Sequence, residues 1–377
     1  MPLQPETMPK LGFGLMRLPM KDDAIDLEQV CKMVDRYMAS GLYYFDTAYG
    51  YHEGKSETTV REAIVSRYPR ESFYLATKLP PWSMKGPEDC GRLFQEQLDR
   101  TGAGYFDLYL LHCIDSGTYP IFEKYDAFRF ALQKKAEGLI RHFGFSFHGS
   151  PELLEQVLDE HPEFEFVQIQ LNYADWENPV VRAREVYEIL QSRGIPMIIM
   201  EPVKGGTLSN LPPELSARLK ARRPESSEAS WALRFAGSLP GIMTILSGMS
   251  NSGQLEDNLQ TFADFEPLTD EEFELLAEIR RIMTDSPMIG CTACGYCTTG
   301  CPMNISIPDV FRSINAYRIY NDHFRAKSFY NSLLKSHGRA SDCIACGQCE
   351  SVCPQHLPII ELLRDASETL DKKKQKA

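Results

Sequence analysis

Eight of the eleven cysteines fall between Cys291 and Cys353, in two runs of identical spacing. The first is Cys291-x2-Cys294-x2-Cys297-x3-Cys301-Pro302, and the second is Cys343-x2-Cys346-x2-Cys349-x3-Cys353-Pro354. Three thiolates spaced this closely can reach one iron–sulfur cubane from a single loop. A fourth, followed by proline, is carried away by a turn toward a second cubane. The spacing therefore assigns Cys291, Cys294, Cys297 and Cys353 to one [4Fe–4S] cluster, and Cys343, Cys346, Cys349 and Cys301 to the other. Zinc is the competing chemistry, but it favours two separated pairs of cysteines over this doubled run. In a long chain such clustering reads as metal ligation rather than disulfides, and it places the protein in a reducing interior, the cytoplasm. Met1–Lys10 has no apolar stretch of the secretory type, so no signal segment is expected.

A second set of residues could do chemistry. Three consecutive strand-like runs end in polar groups: YYFDTAYGY carries Asp46, FYLATK ends in Lys78, and FDLYLLH ends in His112. Tyr51 follows Asp46 by five residues. A buried lysine is costly unless paired, and Asp46 is its natural partner. A carbonyl receiving hydride becomes an alkoxide and needs a proton. Tyr51 can supply it as a general acid if the Lys78 ammonium lowers the pKa of its phenol, while His112 orients the carbonyl oxygen.

These groups need a scaffold. Apolar runs at Leu11–Arg17, Tyr43–Thr47, Phe73–Lys78, Phe106–His112, Ile140–Ser146, Phe166–Leu171, Met197–Met200 and Ile242–Ser247 read as buried parallel strands. Helices are expected between them, at about 27–39, 56–67, 88–101, 121–137, 151–159, 180–192, 226–237 and 253–262, with Gly41, Gly138 and Gly194 as C-caps. Eight such units fit a (β/α)8 TIM barrel; a doubly wound sheet is the alternative layout. Polar residues at the C-terminal ends of barrel strands are active-site candidates. The Gly12-Phe13-Gly14 pair lacks a third glycine and a following helix start, and it reads as a turn or bulge, not a dinucleotide fingerprint. Thr269-x-x-Glu272 is a capping box for one further helix, and Asp285–Ser286–Pro287 ends it. The expected division is a barrel over 1–285 and a small α-helical, ferredoxin-like domain over 286–377, with helical periodicity across Ile307–Ser336. The tail Asp371–Ala377 reads as a solvated end.

Charge follows the same division. The net charge is −12, with 29 basic and 44 acidic residues in 1–285 but 11 and 8 in 286–377. The acidic balance argues against nucleic-acid binding, and no apolar run is long enough for a membrane span.

The barrel region resembles the aldo-keto reductases, through FDTAYGY with Ser56–Glu57, ATK at 76–78, LYLLH at 108–112, GFS at 144–146, VQIQLNY at 167–173 and EPVKGGTL at 201–208. The cysteine region resembles an α-helical dicluster ferredoxin and the extension of one prokaryotic branch of that family. The resemblance implies NADPH- or NADH-dependent reduction of a small aldehyde or ketone, or oxidation of an alcohol, with Asp46, Tyr51, Lys78 and His112 as the catalytic tetrad. It implies Ser146 and Gln168 on the nicotinamide carboxamide, and Gly205 and Gly206 beside the pyrophosphate. Asn258 would touch the adenine, and Asp257 stands where the family has a cofactor-clasping acid. Three positions depart from the family. Phe147 replaces its usual Asn, Met200 replaces the aromatic that stacks on nicotinamide, and Gly248–Gln254 contains no Lys or Arg to grip a 2′-phosphate. Cofactor discrimination is therefore expected to be weak or to lean to NADH. Trp82 and Trp176 read equally as pocket walls or loop packing, Cys113 as a buried filler, and His52 and His148 as hydrogen-bonded loop residues. A rival reading has the barrel merely bind nicotinamide, while the clusters exchange electrons with a partner flavoprotein.

Overall fold

The computed structural model describes residues 5–263, 265–285, 288–320 and 323–371. Ser286 and Pro287 of the expected linker, and Lys372–Ala377 of the tail, lie outside the described residues.

Ten strands occur in these residues: β1 Leu11–Gly14, β2 Met20–Lys21, β3 Ala24–Ile25, β4 Tyr44–Asp46, β5 Tyr74–Leu79, β6 Phe106–Ile114, β7 Ile140–Phe147, β8 Phe166–Gln170, β9 Met197–Met200 and β10 Ile242–Ser247. Eight are parallel and close into a barrel in the order β1-β10-β9-β8-β7-β6-β5-β4. The doubly wound alternative is thus excluded. The eight strands are buried along almost their whole length, as strands covered on both faces must be. Tyr44, Ala76, Leu108, Leu110, Phe166, Ile198, Met243 and Leu246 pack together as a cluster separate from the main core.

The elements follow the expected pattern around the barrel, with instructive differences. The single helix expected over 121–137 is two, Tyr119–Lys124 and Ala127–Ala136, because Asp126 turns the chain at φ 57°. The helix expected from 180 begins at Ala183, because Asn178 Oδ1 accepts from the Val180 and Val181 N–H groups and holds a turn there. The β2–β3 hairpin was not expected; Asp22 and Asp23, both at positive φ, form its two-residue turn. The capping box holds: Thr269 and Glu272 cap the helix Asp270–Thr284 reciprocally.

The cysteine region has a core of its own, built from Ile305, Ile307, Val310, Phe311, Ile314, Tyr330, Ile359 and Leu363 among others. It is an internal repeat. Ala293 and Ala345 have φ 52° and 54°, and Asn304 and His356 have 50° and 48°. Short helical turns Tyr296–Thr299 and Gln348–Ser351 follow, and then the helices Ile307–Tyr320 and Ile359–Leu370. The described start of the tail is anchored rather than frayed: Asp371 accepts from Tyr330 Oη at 2.8 Å and from the Ser341 N–H at 3.0 Å.

Candidate active site and cysteine cavity

Asp46, Lys78 and His112 stand toward the C-terminal ends of adjacent strands β4, β5 and β6, and Tyr51 follows in the loop above them. Lys78 Nζ donates to Asp46 Oδ1 at 2.6 Å and to the Thr47 carbonyl at 2.7 Å, with both side chains buried. It lies 5.0 Å from the centre of the Tyr51 ring, and the Tyr51 and His112 rings are 6.1 Å apart at 80°. The turn carrying Tyr51 is held from several sides. His52 and Glu53 take left-handed φ values of 51° and 58°, and His52 Nε2 accepts from the Leu18 N–H at 3.1 Å. Behind them Ser56 shares a hydrogen bond with Thr47 at 2.8 Å, and buried Glu57 accepts from Thr77 Oγ1 at 2.8 Å and Gln97 Nε2 at 2.9 Å. His52 is therefore the hydrogen-bonded loop histidine expected.

Electrostatics correct one expectation. The Lys78 ammonium does act to lower the Tyr51 pKa, but burial acts more strongly and leaves the phenol above its ordinary 10.0. Burial also opposes the Lys78 charge, yet Asp46 and Tyr51 together hold it above its usual value. His112 is a neutral imidazole, pushed well below the ordinary range by burial and then by Lys78.

Asp46, Tyr51 and His112 line a cleft of about 1000 Å³ that also takes in Ser146, Gln168, Met200, Gly205, Gly206, Asp257 and Asn258. Lys78 lies just beneath it. Gln168 Oε1 is buried without a hydrogen-bond partner, while Gln168 Nε2 rests 3.5 Å from Met200 Sδ. Ser146 Oγ accepts from the Cys113 N–H at 2.7 Å, which leaves its O–H available. One orphaned acceptor and one available donor, side by side, fit a carboxamide. Farther along, Asp257 accepts from Ser227 Oγ at 2.6 Å and Asn258 Nδ2 donates to Ser247 Oγ at 2.7 Å. The cleft thus gathers every residue expected to touch cofactor. It also brings in two basic residues, Arg17 and Lys220, that lie outside Gly248–Gln254 and so escaped the expectation built on that stretch.

Cys291, Cys294, Cys297 and Cys353 line a second, small cavity together with Ile307, Phe311 and Leu357. Among the described residues no three metal-ligating side chains converge tightly enough for a single ion. The four thiols surround a space instead, which fits a cubane with the crossed fourth ligand. For the second set, Gly300 lies against the side chain of Gln348, which brings the residue before Cys301 beside the residue before Cys349.

Sequence reasoning missed how the first cysteine loop joins the barrel mouth. Arg17 Nη2 donates to the Thr292 carbonyl at 2.6 Å. A Cβ on Gly205, which sits at φ 62°, would fall 2.1 Å from that same carbonyl. Gly205 is therefore needed where the cysteine loop docks, whatever room it also leaves for a phosphate. Below the loop, Lys204 Nζ pairs with Asp175 Oδ1 at 2.5 Å and donates to Gln355 Oε1 at 3.2 Å. Gln355 Nε2 donates to Gln170 Oε1 at 2.9 Å, and Gln170 Nε2 to Asp175 Oδ2 at 3.0 Å. Glu201, also against this loop, has its carboxyl pushed up to about 7 by burial. Finally, Tyr296 Oη reaches His112 Nε2 at 3.3 Å. The only signal in the sequence was the cluster of polar residues in EPVKGG and in Pro354-Gln355-His356, and no spacing rule pairs them.

Comparisons with known proteins agree with the fold and with its division into two regions. Residues 10–281 match the family model "Aldo/keto reductase family", and residues 290–357 match "4Fe-4S dicluster domain". An aldo-keto reductase of Mycobacterium sp. (strain JLS) is 29% identical over 265 residues, covering 69% of this chain and 85% of its own. The holo form of a Bacillus halodurans aldo-keto reductase superposes with a TM-score of 0.58 at 26% identity, covering 72% and 91% of the two chains. A Klebsiella pneumoniae aldo/keto reductase in complex with NADP and acetate shares the fold, with a TM-score of 0.59 at 22% identity over 72% and 92%. By its matched barrel, this chain belongs to the aldo/keto reductase family.

Proposed function

We propose that this oxidoreductase transfers a hydride between NADPH or NADH and a small aldehyde or ketone, or the corresponding alcohol, at the mouth of the barrel. The observation that carries the reading is Lys78 Nζ, held at 2.6 Å on Asp46 beneath the Tyr51 ring, with neutral His112 facing the same cleft. Nicotinamide, when bound, supplies the hydride. Ser146 and Gln168 orient its carboxamide, Met200 lines the space beside it, and Asp257 and Asn258 line the far end of the cleft. His112 orients the carbonyl oxygen through Nε2. Tyr51 delivers its proton to the developing alkoxide, and the Asp46-held Lys78 ammonium stabilises the phenolate left behind. A turnover assay with both nicotinamides and generic aldehydes tests the proposal. Carbonyl-dependent oxidation of the nicotinamide is the expected result, and its absence across aliphatic and aromatic carbonyls would remove the reading.

The same proposal places the boundary between barrel and cysteine region at 285/286, after the helix Asp270–Thr284 has ended and between the two family matches, which end at 281 and begin at 290. It gives the cysteine region a pair of [4Fe–4S] clusters on the crossed ligand sets. Their thiolate chemistry would place the protein in the cytoplasm. A second reading, electron exchange with a partner protein, is favoured by one observation: Ile344 (60% exposed), Val352 (42%) and exposed Cys346 put the second cysteine loop at the surface.

A further inference from the structure

Tyr296 stands between Cys294 and Cys297, so its backbone belongs to the first cysteine loop, yet its side chain lines the barrel mouth. Its Oη is 3.3 Å from His112 Nε2, and its phenol lies close enough to Tyr51 for the two to interact. Those are the two groups from which a carbonyl oxygen would take its hydrogen bonds. Neutral His112 has one N–H to give, and its Nδ1 is buried without a partner. The phenol oxygen of Tyr296 on Nε2 therefore stands where that carbonyl oxygen would stand. Trp82 closes the adjacent side, its ring 4.9 Å from that of His112 and 5.9 Å from that of Tyr296. The loop behind Tyr296 is fixed: Arg17 holds the Thr292 carbonyl at 2.6 Å, Gly205 abuts it, and Gly295 at φ 83° opens the turn that carries the tyrosine. Only the side chain is left to move.

We propose that Tyr296 is the gate of the carbonyl site: its hydroxyl occupies the oxygen position on Tyr51 and His112, and its ring limits the size of the group that follows the carbonyl. This rests on the carbonyl-reductase reading above, and it commits that reading to compact substrates. An incoming carbonyl displaces the Tyr296 hydroxyl, with no bond made or broken in the protein. Because two cluster ligands flank Tyr296, the width of the barrel site is set by the first cysteine loop.

The test compares the full-length protein with Tyr296→Phe and Tyr296→Ala, after iron content and visible absorption have shown that the clusters are intact. Binding of acetate and of diphenylacetate to the enzyme with oxidised nicotinamide is measured by calorimetry, which needs no turnover. Propanal and benzophenone serve as matched substrates. With Tyr296→Phe the competing hydroxyl is gone, so the Kd for acetate and the KM for propanal should fall about 3- to 10-fold, the range of one neutral hydrogen bond. Tyr296→Ala should favour diphenylacetate over acetate, and benzophenone over propanal, by about tenfold or more. A rise in the acetate Kd with Tyr296→Phe would mean that Tyr296 holds the ligand rather than competing with it. Unchanged Kd values in both variants would overturn the gate outright. If the Kd values shift as stated but no carbonyl is reduced, the gate stands and the reductase reading falls; if reduction proceeds and the Kd values do not move, the reverse holds. Should Tyr296→Ala lose iron, Tyr296→Phe decides alone.

Discussion

The two cysteine loops share spacing, backbone angles and following helices, but they face different surroundings. The first loop lies over the barrel mouth, where Thr292 and Tyr296 touch Arg17, Gly205 and His112. The second turns Ile344, Cys346 and Val352 outward. The residues that follow the last cysteine of each run show the opposite preference. Two residues after Cys353 the chain has Gln355, whose amide completes the buried Lys204–Asp175–Gln170 network; two residues after Cys301 it has Met303, whose carbonyl lies close against Gly338 within the cysteine region. Both repeats therefore meet the barrel, the first through its cysteine loop and the second through the residues after its last cysteine, while the second cysteine loop is left open. A shared backbone can thus serve two purposes when a handful of side chains differ.

That contrast can be broken in graded ways. The largest expected effect is on the barrel alone. Tyr51→Phe should cut carbonyl reduction by about 10²–10⁴-fold while nicotinamide binding stays nearly unchanged; steady-state kinetics and fluorescence titration measure the two. Retention of most of the kcat would move the proton source elsewhere. The pH profile follows from the same group. Burial holds the Tyr51 pKa above its ordinary 10.0. Reduction needs the protonated phenol, so its rate should hold through neutral pH and fall only above about pH 10, whereas alcohol oxidation, which needs the phenolate, should rise over that range. A decline in reduction centred near pH 8 would contradict this.

The cluster assignment comes next in size. Cys301→Ser should damage the cluster on Cys343, Cys346 and Cys349 and spare the one on Cys291, Cys294 and Cys297, as read by iron content and EPR. Selective loss of the neighbouring cluster would mean the ligands are not crossed. Smaller again is the attachment of the two regions. Gln355→Leu leaves Lys204 and Gln170 short of buried hydrogen bonds and should cost about 1–3 kcal/mol in a denaturant melt, against less than about 1 for Met303→Leu. Equal losses would remove Gln355 from the attachment of the two regions. The smallest effect concerns cofactor choice. Lys220 lines the cleft while Gly248–Gln254 offers no cation. Lys220→Ala should weaken NADPH binding by only about 2- to 5-fold and leave NADH unaffected, the size of one exposed charge contact. Equal loss for both nicotinamides would free Lys220 from any role at the 2′-phosphate.

Much of this was legible in the chain. The alternation of apolar runs and capped helices announced the barrel, and Asp46, Lys78 and His112 could be read because buried strands seldom end in charge. The cysteine spacing is local chemistry, so the iron–sulfur character of the second region was legible too. What could not be read is what depends on three-dimensional juxtaposition. Tyr296 lies 184 residues from His112, and nothing in its sequence context distinguishes it from a packing aromatic. Gly205 looked like a phosphate-loop glycine, and its contact with Thr292 appears only once the loop is docked. The net pKa of Tyr51 was misjudged because burial is a property of the folded site, whereas the Lys78 charge could be counted from the sequence.

The central claim is that hydride reaches the carbonyl directly from nicotinamide, with the clusters standing outside the chemical step. It is tested most directly by running anaerobic turnover with nicotinamide dideuterated at C4 and analysing the alcohol by mass spectrometry. The account predicts one deuterium at the carbinol carbon of nearly every product molecule, with no reduced-cluster EPR signal appearing at the turnover rate. Alcohol that carries solvent hydrogen at that carbon, formed while the clusters cycle, would contradict it.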